Sequence, residues 1–369
     1  MESYVTPILL SYVDKYVRDF NPADVQVSLW GGGVTLHNLV LRPDVLQREV
    51  ALPFTLVSGR IHELLINVPW TKITSEPITV TINTIECVLS LNPPNNGDDG
   101  QAPRDQLVPS PPRYMRGLIR RVVSNISFTI QSLIVKYVHD DIVLSLNIKW
   151  LYIDSADADW RRAFADIDAE DPVVRRLVRL DDFTLCLDRS DGDGRIRHYQ
   201  EPLLDRCQLE IRILTTLVSL QNRKAKNLTV EIRSENLELG VTSDQLLLLL
   251  RLLRERPPPG PPPRPSNSQP PQTPVPTVAP VPSKKAAPRV ETWSEWAWSW
   301  LPSWSERGGV GEAPAPARPF PILVTALLDN VAFVYKIMET DAGSGRRHTR
   351  PLLELRAGNL IVSYLARAP

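Results

Sequence analysis

Chemistry in this sequence would have to come from five histidines, forty-two carboxylates and three cysteines, and their spacing offers it little. His37, His62, His139, His198 and His348 are scattered, and none stands in a nucleophile motif. The stretch "DRSDGDGRI" from Asp188 comes near a calcium loop, with Asp191 and Asp193 in place if Gly194 is the obligatory glycine. Arg189 and Gln200 then occupy the first and last ligand positions, so the stretch reads as a hairpin between strands. Gly31, Gly32 and Gly33 lack a following Lys-Ser or Lys-Thr and read as a turn, not a phosphate loop. The acidic stretch 154–171 has no histidine or cysteine companion and reads as a solvated loop or helix edge. Cys87, Cys186 and Cys207 are odd in number and widely spaced, which fits reduced thiols held in strands. Neither an enzyme, a cofactor nor a metal site is expected.

Two clusters suit surface chemistry instead. In "RYMRGLIRRVV", Arg113, Arg116, Arg120 and Arg121 lie beside Met115, Leu118, Ile119 and Val122. A basic rim along an apolar face fits anionic headgroups, and fits a solvated helix face equally well. Trp293, Trp296, Trp298, Trp300 and Trp304 gather five of the nine tryptophans into twelve residues. Trp293, Trp296, Trp300 and Trp304 share a helical stripe, Trp298 does not, and Pro302 interrupts the last turn. Such a cluster suits a bilayer interface, a docking peptide, or a segment folded back over the protein. The proline-rich tract before it offers PxxP matches to an adaptor or SH3-type partner. The 42 basic and 42 acidic residues cancel, so no nucleic-acid partner is expected. Charged residues early in the first helix argue against a signal peptide, and apolar runs such as 246–250 are too short to span a bilayer. These features predict a cytoplasmic protein that touches membranes without crossing them.

Residues 3–20 read as an amphipathic helix, with Val5, Ile8, Leu9, Tyr12, Val13, Tyr16 and Val17 at helical spacing. After Asn21–Pro22 the period changes to two, and "VQVSLWGGGVTLHNLVL" predicts a glycine-turned hairpin. Strands are predicted over 55–68, 78–91, 126–138, 142–152, 183–187, 196–199, 209–217, 228–239, 322–337 and 352–365. Helices are predicted over 113–124 and 243–256, the second capped by Ser243. Residues 92–112 and 257–319 read as disordered on Pro, Gly, Asn and Asp content. About a dozen strands with one apolar face each, and few helices to cover them, leave three outcomes open: a closed barrel, a sandwich, or an open sheet covered by a ligand.

Particular words narrow that choice. The initial helix is followed by Leu29, Trp30 and Gly32, by Leu41, Asp44 and Leu46, by "GRIHELLINVPW" from Gly59 to Trp70, and by Pro77, Ile78, Val80 and Ile82. In order and spacing these resemble the chorein N-terminal domain of vacuolar protein sorting-associated, bridge-like lipid transfer proteins. "GLIRRVVSNISFTIQSLIVKYVHDDIVLSL" and "WAWSW" look most like the Cohen-syndrome branch of that family. The resemblance covers nearly the whole chain and is weakest in the proline tract.

The resemblance implies a mainly β fold: an extended, strongly curved antiparallel sheet forming an open, taco-like hydrophobic groove capped by the N-terminal helix. It divides the chain into a chorein domain (1–92), a loop (93–112), an extended groove region (113–256), a proline-rich linker with the tryptophan cluster (257–319) and further groove strands (320–369). The last strand shows no closing cap, which fits the amino-terminal end of a longer protein. The implied cargo is glycerophospholipid, carried between organelle membranes at endoplasmic reticulum and Golgi contact sites by a peripheral membrane protein. The lining candidates are Leu64, Ile66, Val68, Ile78, Val80, Ile82, Ile126, Phe128, Ile130, Ile142, Leu144, Leu146, Ile148, Leu209, Ile211 and Ile213; their plainer reading is an ordinary core. Around Thr84–Ile85 the alternation slips and the inward face is ambiguous. The alternative function is a lipid-free tethering scaffold in Golgi or endosomal protein trafficking.

Overall fold

The computed structural model describes residues 16–18, 26–28, 33–43, 55–90, 121–122, 124–165, 173–191, 196–198, 200–218, 225–254, 321–340 and 347–367. The described elements are β1 (Val17–Arg18), β2 (Gln26–Ser28), β3 (Gly33–Leu41), β4 (Thr55–Asn67), β5 (Thr79–Ser90), β6 (Ser127–His139), β7 (Ile142–Ser155), β8 (Val173–Ser190), β9 (Ile196–His198), β10 (Leu204–Leu217), β11 (Ala225–Thr242), α1 (Ser243–Arg254), β12 (Pro321–Thr340) and β13 (Arg347–Arg367). All thirteen strands belong to one sheet, in the order β1-β3-β4-β5-β6-β7-β8-β10-β11-β12-β13, with β2 on β3 and β9 on β8. The two ends of this path do not pair with each other, so the sheet is open. Eleven strands at ~4.8 Å spacing span roughly 48 Å.

The expectation of an antiparallel sheet fails at two junctions. β5 and β6 pair in parallel, and so do β11 and β12. Each junction follows a long connection, 91–126 and 243–320, and a parallel neighbour needs a connection that returns to the starting end of the sheet. Hairpin meanders occupy the intervals. Several element bounds also differ from the sequence pattern, three of them for identifiable reasons. Val17–Arg18, expected to be helical, pairs with Val40–Leu41 as strand; residues 3–15 lie outside the described residues. β8 starts ten residues before its predicted beginning, because Arg175, Arg176, Arg179, Asp181 and Asp182 hide its alternation. The cap of α1 is Thr242, not Ser243. The Gln245 N–H donates to Thr242 Oγ1 (3.2 Å) and the Thr242 N–H donates to Gln245 Oε1 (3.0 Å), a reciprocal capping box.

The slip at Thr84 has a physical origin that spans the sheet. Asn38, Thr84, Ser132, Asp182 and Asn359 adopt left-handed backbone, with φ of 52°, 54°, 60°, 53° and 52°. Register connects them: the pairing skips Asn38 opposite His62, His62 opposite Thr84, Thr84 beside Ser132, Ser132 opposite Lys149 and Lys149 opposite Asp182. It skips again at Glu235 beside Asp329, and at Asp329 opposite Asn359. A single line of polar residues, a crease, therefore crosses the strands from β3 to β13. Where the pairing skips, two successive residues point to one side, as at His62–Glu63, Asn83–Thr84 and Gln131–Ser132. The other face keeps its apolar residue on either flank, such as Ile61 and Leu64. Neighbouring strands break their alternation at the same level, so the register stays one-to-one across the line.

The core lies on the inner face, the face opposite those doubled residues. At the β3–β6 end Leu36, Leu39, Ile61, Leu64, Ile66 and Val80 are buried against Val17, Ile73 and Val122. A second cluster joins Ile142, Leu187, Leu203 and Val241 to Leu248 of α1. Burial of one such leucine stabilises by about 1.5–3 kcal/mol.

Candidate functional site

Residues in register on adjacent strands share a face, so the pairing itself shows which side chains adjoin. One row reads Val34, Ile66, Val80, Phe128, Ile153, Val178, Ile211, Ile232, Ala326, Val362, one residue from each of ten strands. Beyond the crease a second reads Cys87, Val135, Leu146, Leu185, Leu204, Leu239, Phe333, Leu355. Neither row contains a charged residue. The opposite face, at the level between, reads Thr81, Thr129, Tyr152, Arg179, Glu210, Arg233. There Arg212 bridges Glu210 at 2.7 Å and Glu231 at 3.6 Å. Such half-exposed pairs contribute about 0–1 kcal/mol each; their service is to make that face polar. An open cleft of ≈ 400 Å³ is lined by Arg179, Asp181, Glu210, Arg233, Glu235 and Asp329 together with Leu209 and Leu327.

The sixteen lining candidates fall on the inner face in two kinds of surroundings. Leu64, Ile66, Val68, Ile78 and Val80 are buried in the first cluster, and Ile82, Ile126 and Phe128 pack on it. Ile130, Ile142 and Ile148 are also buried. Leu144, Leu146, Leu209, Ile211 and Ile213 are only partly covered. Pattern reading missed Val178 and Ile153, whose neighbours Arg176 and Asp154 are charged, and Ile232, Ala326 and Val362. The parallel register that brings Ala326, and through it Val362, into the row cannot be read from local alternation.

The surface candidates fare differently. Arg113, Arg116 and Arg120 lie outside the described residues, as do Trp293, Trp296, Trp298, Trp300 and Trp304 and the proline tract. Arg121 stacks its guanidinium 5.4 Å from the centre of the Phe164 ring, and its carbonyl accepts a hydrogen bond from Asn125 Nδ2 at 2.8 Å. The three cysteines are free thiols in β5, β8 and β10, and burial pushes each of them up. Asp188, from the calcium-loop look-alike, is buried and accepts the Gln200 N–H at 2.7 Å. Among the described residues no acidic, histidine or cysteine cluster has metal-binding geometry, and no helix is long and apolar enough to cross a membrane.

Residues 1–107 match the model of the VPS13-like family N-terminal region. The chain carries a VPS13-like N-terminal region. It is 41% identical over 278 residues, 69% of its length, to the human "Intermembrane lipid transfer protein VPS13B", and 43% identical over the same extent to the mouse protein of that name. Over 163 residues, 44% of its length, it is 24% identical to "Bridge-like lipid transfer protein family member 3B" of Xenopus laevis. The match covers 7% of the two VPS13B proteins and 11% of the Xenopus protein. The VPS13-like match ends within the 91–126 connection, and the VPS13B similarity reaches well beyond it.

Proposed function

We propose that the inner face is a lane for glycerophospholipids, and that this chain is a lipid-transfer module acting between apposed organelle membranes. The observation that carries the proposal is the row from Val34 to Val362, apolar at every one of its ten strands. Nine intervals of ~4.8 Å make it roughly 43 Å long. Carrying a diacyl lipid through water exposes about thirty methylenes at ~0.8 kcal/mol each, on the order of 25 kcal/mol. An uninterrupted apolar surface removes most of that barrier without any bond-making chemistry. The crease adds shape: one extra residue per strand on the polar side lengthens that side and curves the sheet toward the apolar one. Curvature of that sense makes a trough whose axis runs along the row. The relatives' names fit this reading, and endoplasmic reticulum–Golgi contact sites, with tryptophan and arginine segments touching the bilayer, belong to it as proposals.

The test is a lipid count on the purified full chain. Organic extraction and mass spectrometry should return several glycerophospholipids per protein. Ile211→Asp with Ile232→Asp, at half-buried positions of the row, should lose most of them and stop vesicle-to-vesicle transfer while the chain stays folded. A folded, monodisperse wild type without lipid would instead support a lipid-free tether.

A further inference from the structure

A cation, Arg176, stands on the inner face. Arg176 is in register with Ser155 on one side and Ile213 on the other, and it lies two residues from Val178 of the apolar row. Beyond Ile213 the same level continues through Val230, Val324 and Tyr364. Arg176 is the fourth residue of β8, so this level runs close to one rim of the sheet.

Among the described residues its guanidinium is held from one nitrogen only. Nη1 donates to Ser155 Oγ at 2.9 Å and to the Ile126 carbonyl at 3.3 Å, and the Ser155 hydroxyl in turn donates to the Ser124 carbonyl at 2.9 Å. Among the described residues no carboxylate lies within ion-pair distance of it. Asp154 points to the other face, where it accepts from Ser127 Oγ at 2.6 Å and pairs with Arg162 Nε at 3.1 Å. The inner-face arginine of the opposite rim, Arg189, has its carboxylate, Asp141, at 3.4 Å. Burial holds the Arg176 guanidinium down to about 10, with the field of Asp154 opposing. It therefore stays charged at neutral pH, poorly hydrated and, among the described residues, without a counter-ion. A cation in that condition is costly, and an anion that brings its own apolar surface offsets the cost.

We propose that Arg176 is a phosphate subsite: its Nε–Nη2 edge receives the headgroup phosphate of a glycerophospholipid whose acyl chains lie along the Val178–Ile211 rows. The planar fork of arginine matches two phosphate oxygens at once, and the rim is where a headgroup can stay wet while its chains stay dry. The subsite rests on the lipid-lane reading and adds to it a preference for phosphate-bearing lipid.

The experiment loads the full chain from vesicles holding equal amounts of dioleoylphosphatidylcholine and dioleoylglycerol, then extracts the protein-bound lipid. The two share their chains and differ in the headgroup. Wild type should retain phosphatidylcholine in preference, and Arg176→Gln should lower the phosphatidylcholine-to-diacylglycerol ratio about tenfold with total dioleoyl lipid and thermal midpoint kept. Arg176→Lys, which keeps the charge and loses the fork, should fall between them, and it carries the test alone should the glutamine variant not fold. An unchanged ratio in a folded variant overturns the subsite and leaves the lane intact. If inorganic phosphate at millimolar concentration abolishes the wild-type preference as completely as the substitution does, the occupant is a free anion and the lipid assignment falls. Absence of any dioleoyl lipid from wild type overturns the lane itself, and the subsite with it.

Discussion

The crease makes a prediction whose sign reverses within four residues of one strand. Thr84 holds φ 54°, while Thr81, on the same strand and the same polar face, sits in regular register between Leu65 and Thr129. For a residue with a Cβ the left-handed region costs about 1–2 kcal/mol, and β-branching puts threonine at the upper end. Glycine at Thr84 removes that cost but adds about 0.5–1 kcal/mol of unfolded-chain entropy. The net expectation is a stabilisation of ~0.5–1 kcal/mol. Thr81→Gly gains nothing sterically and loses both entropy and strand preference, a destabilisation of about 1–1.5 kcal/mol. Thr84 Oγ1 makes only a 3.4 Å exposed contact, to Asn83, so little is forfeited there. Urea denaturation followed by circular dichroism reads both variants. With a slope of about 3 kcal/mol/M the midpoints should move roughly 0.2–0.3 M up for Thr84→Gly and 0.3–0.5 M down for Thr81→Gly. Ser132→Gly should gain less than Thr84→Gly, and Asn359→Gly should be nearly neutral, because asparagine already tolerates that region. Should Thr84→Gly fall in midpoint as Thr81→Gly does, the left-handed line is not a strained feature and the bending argument built on it collapses.

Two further outcomes follow from the rim that α1 covers. Leu248→Ala, at a 1% exposed site between Ile142, Leu187 and Val241, should cost about 2–5 kcal/mol, read as a lower thermal midpoint. Asp188 and Glu201 should titrate stability in opposite senses. Burial raises Asp188, so its folded form holds a proton more tightly than its unfolded form and its penalty is relieved as pH falls through the raised value; Asp188→Asn should stabilise at pH 7 and match wild type near pH 4. Hydrogen bonds from Lys336 and Thr349 lower Glu201, so its contribution is present above the unfolded carboxylate range and lost as pH falls through the lowered value; Glu201→Gln should destabilise at pH 7 and converge with wild type in acid.

Strand existence was legible wherever alternation was clean, as in Ile142, Leu144, Leu146 and Ile148, all of which fall on β7. The family words of residues 29–82 carried the rest, because a barrel, a sandwich and an open sheet place the same demands on a single strand. Two things were hidden for definite reasons. Parallel pairing at β5–β6 and β11–β12 depends on where a long connection returns, which no local pattern records. Charged residues concealed the first half of β8, because Arg176 stands at an inner position and breaks the alternation that would have announced the strand. The slip at Thr84 was visible in sequence as a fault in phase. Its meaning needed the register, which stacks it with Asn38, Ser132, Asp182 and Asn359.

The parallel junctions and the crease together explain how a sheet of this kind can grow without spoiling its lane. At β5–β6 the row passes from Val80 to Phe128, and at β11–β12 from Ile232 to Ala326, so apolar meets apolar on both sides of a long connection. The level at which the pairing skips is kept across both junctions too, since Thr84 aligns with Ser132 and Glu235 with Asp329. Whatever sets the bend is thereby handed from one meander to the next in phase. A lane interrupted at a junction by a one-residue register shift would turn an entire strand's polar residues inward.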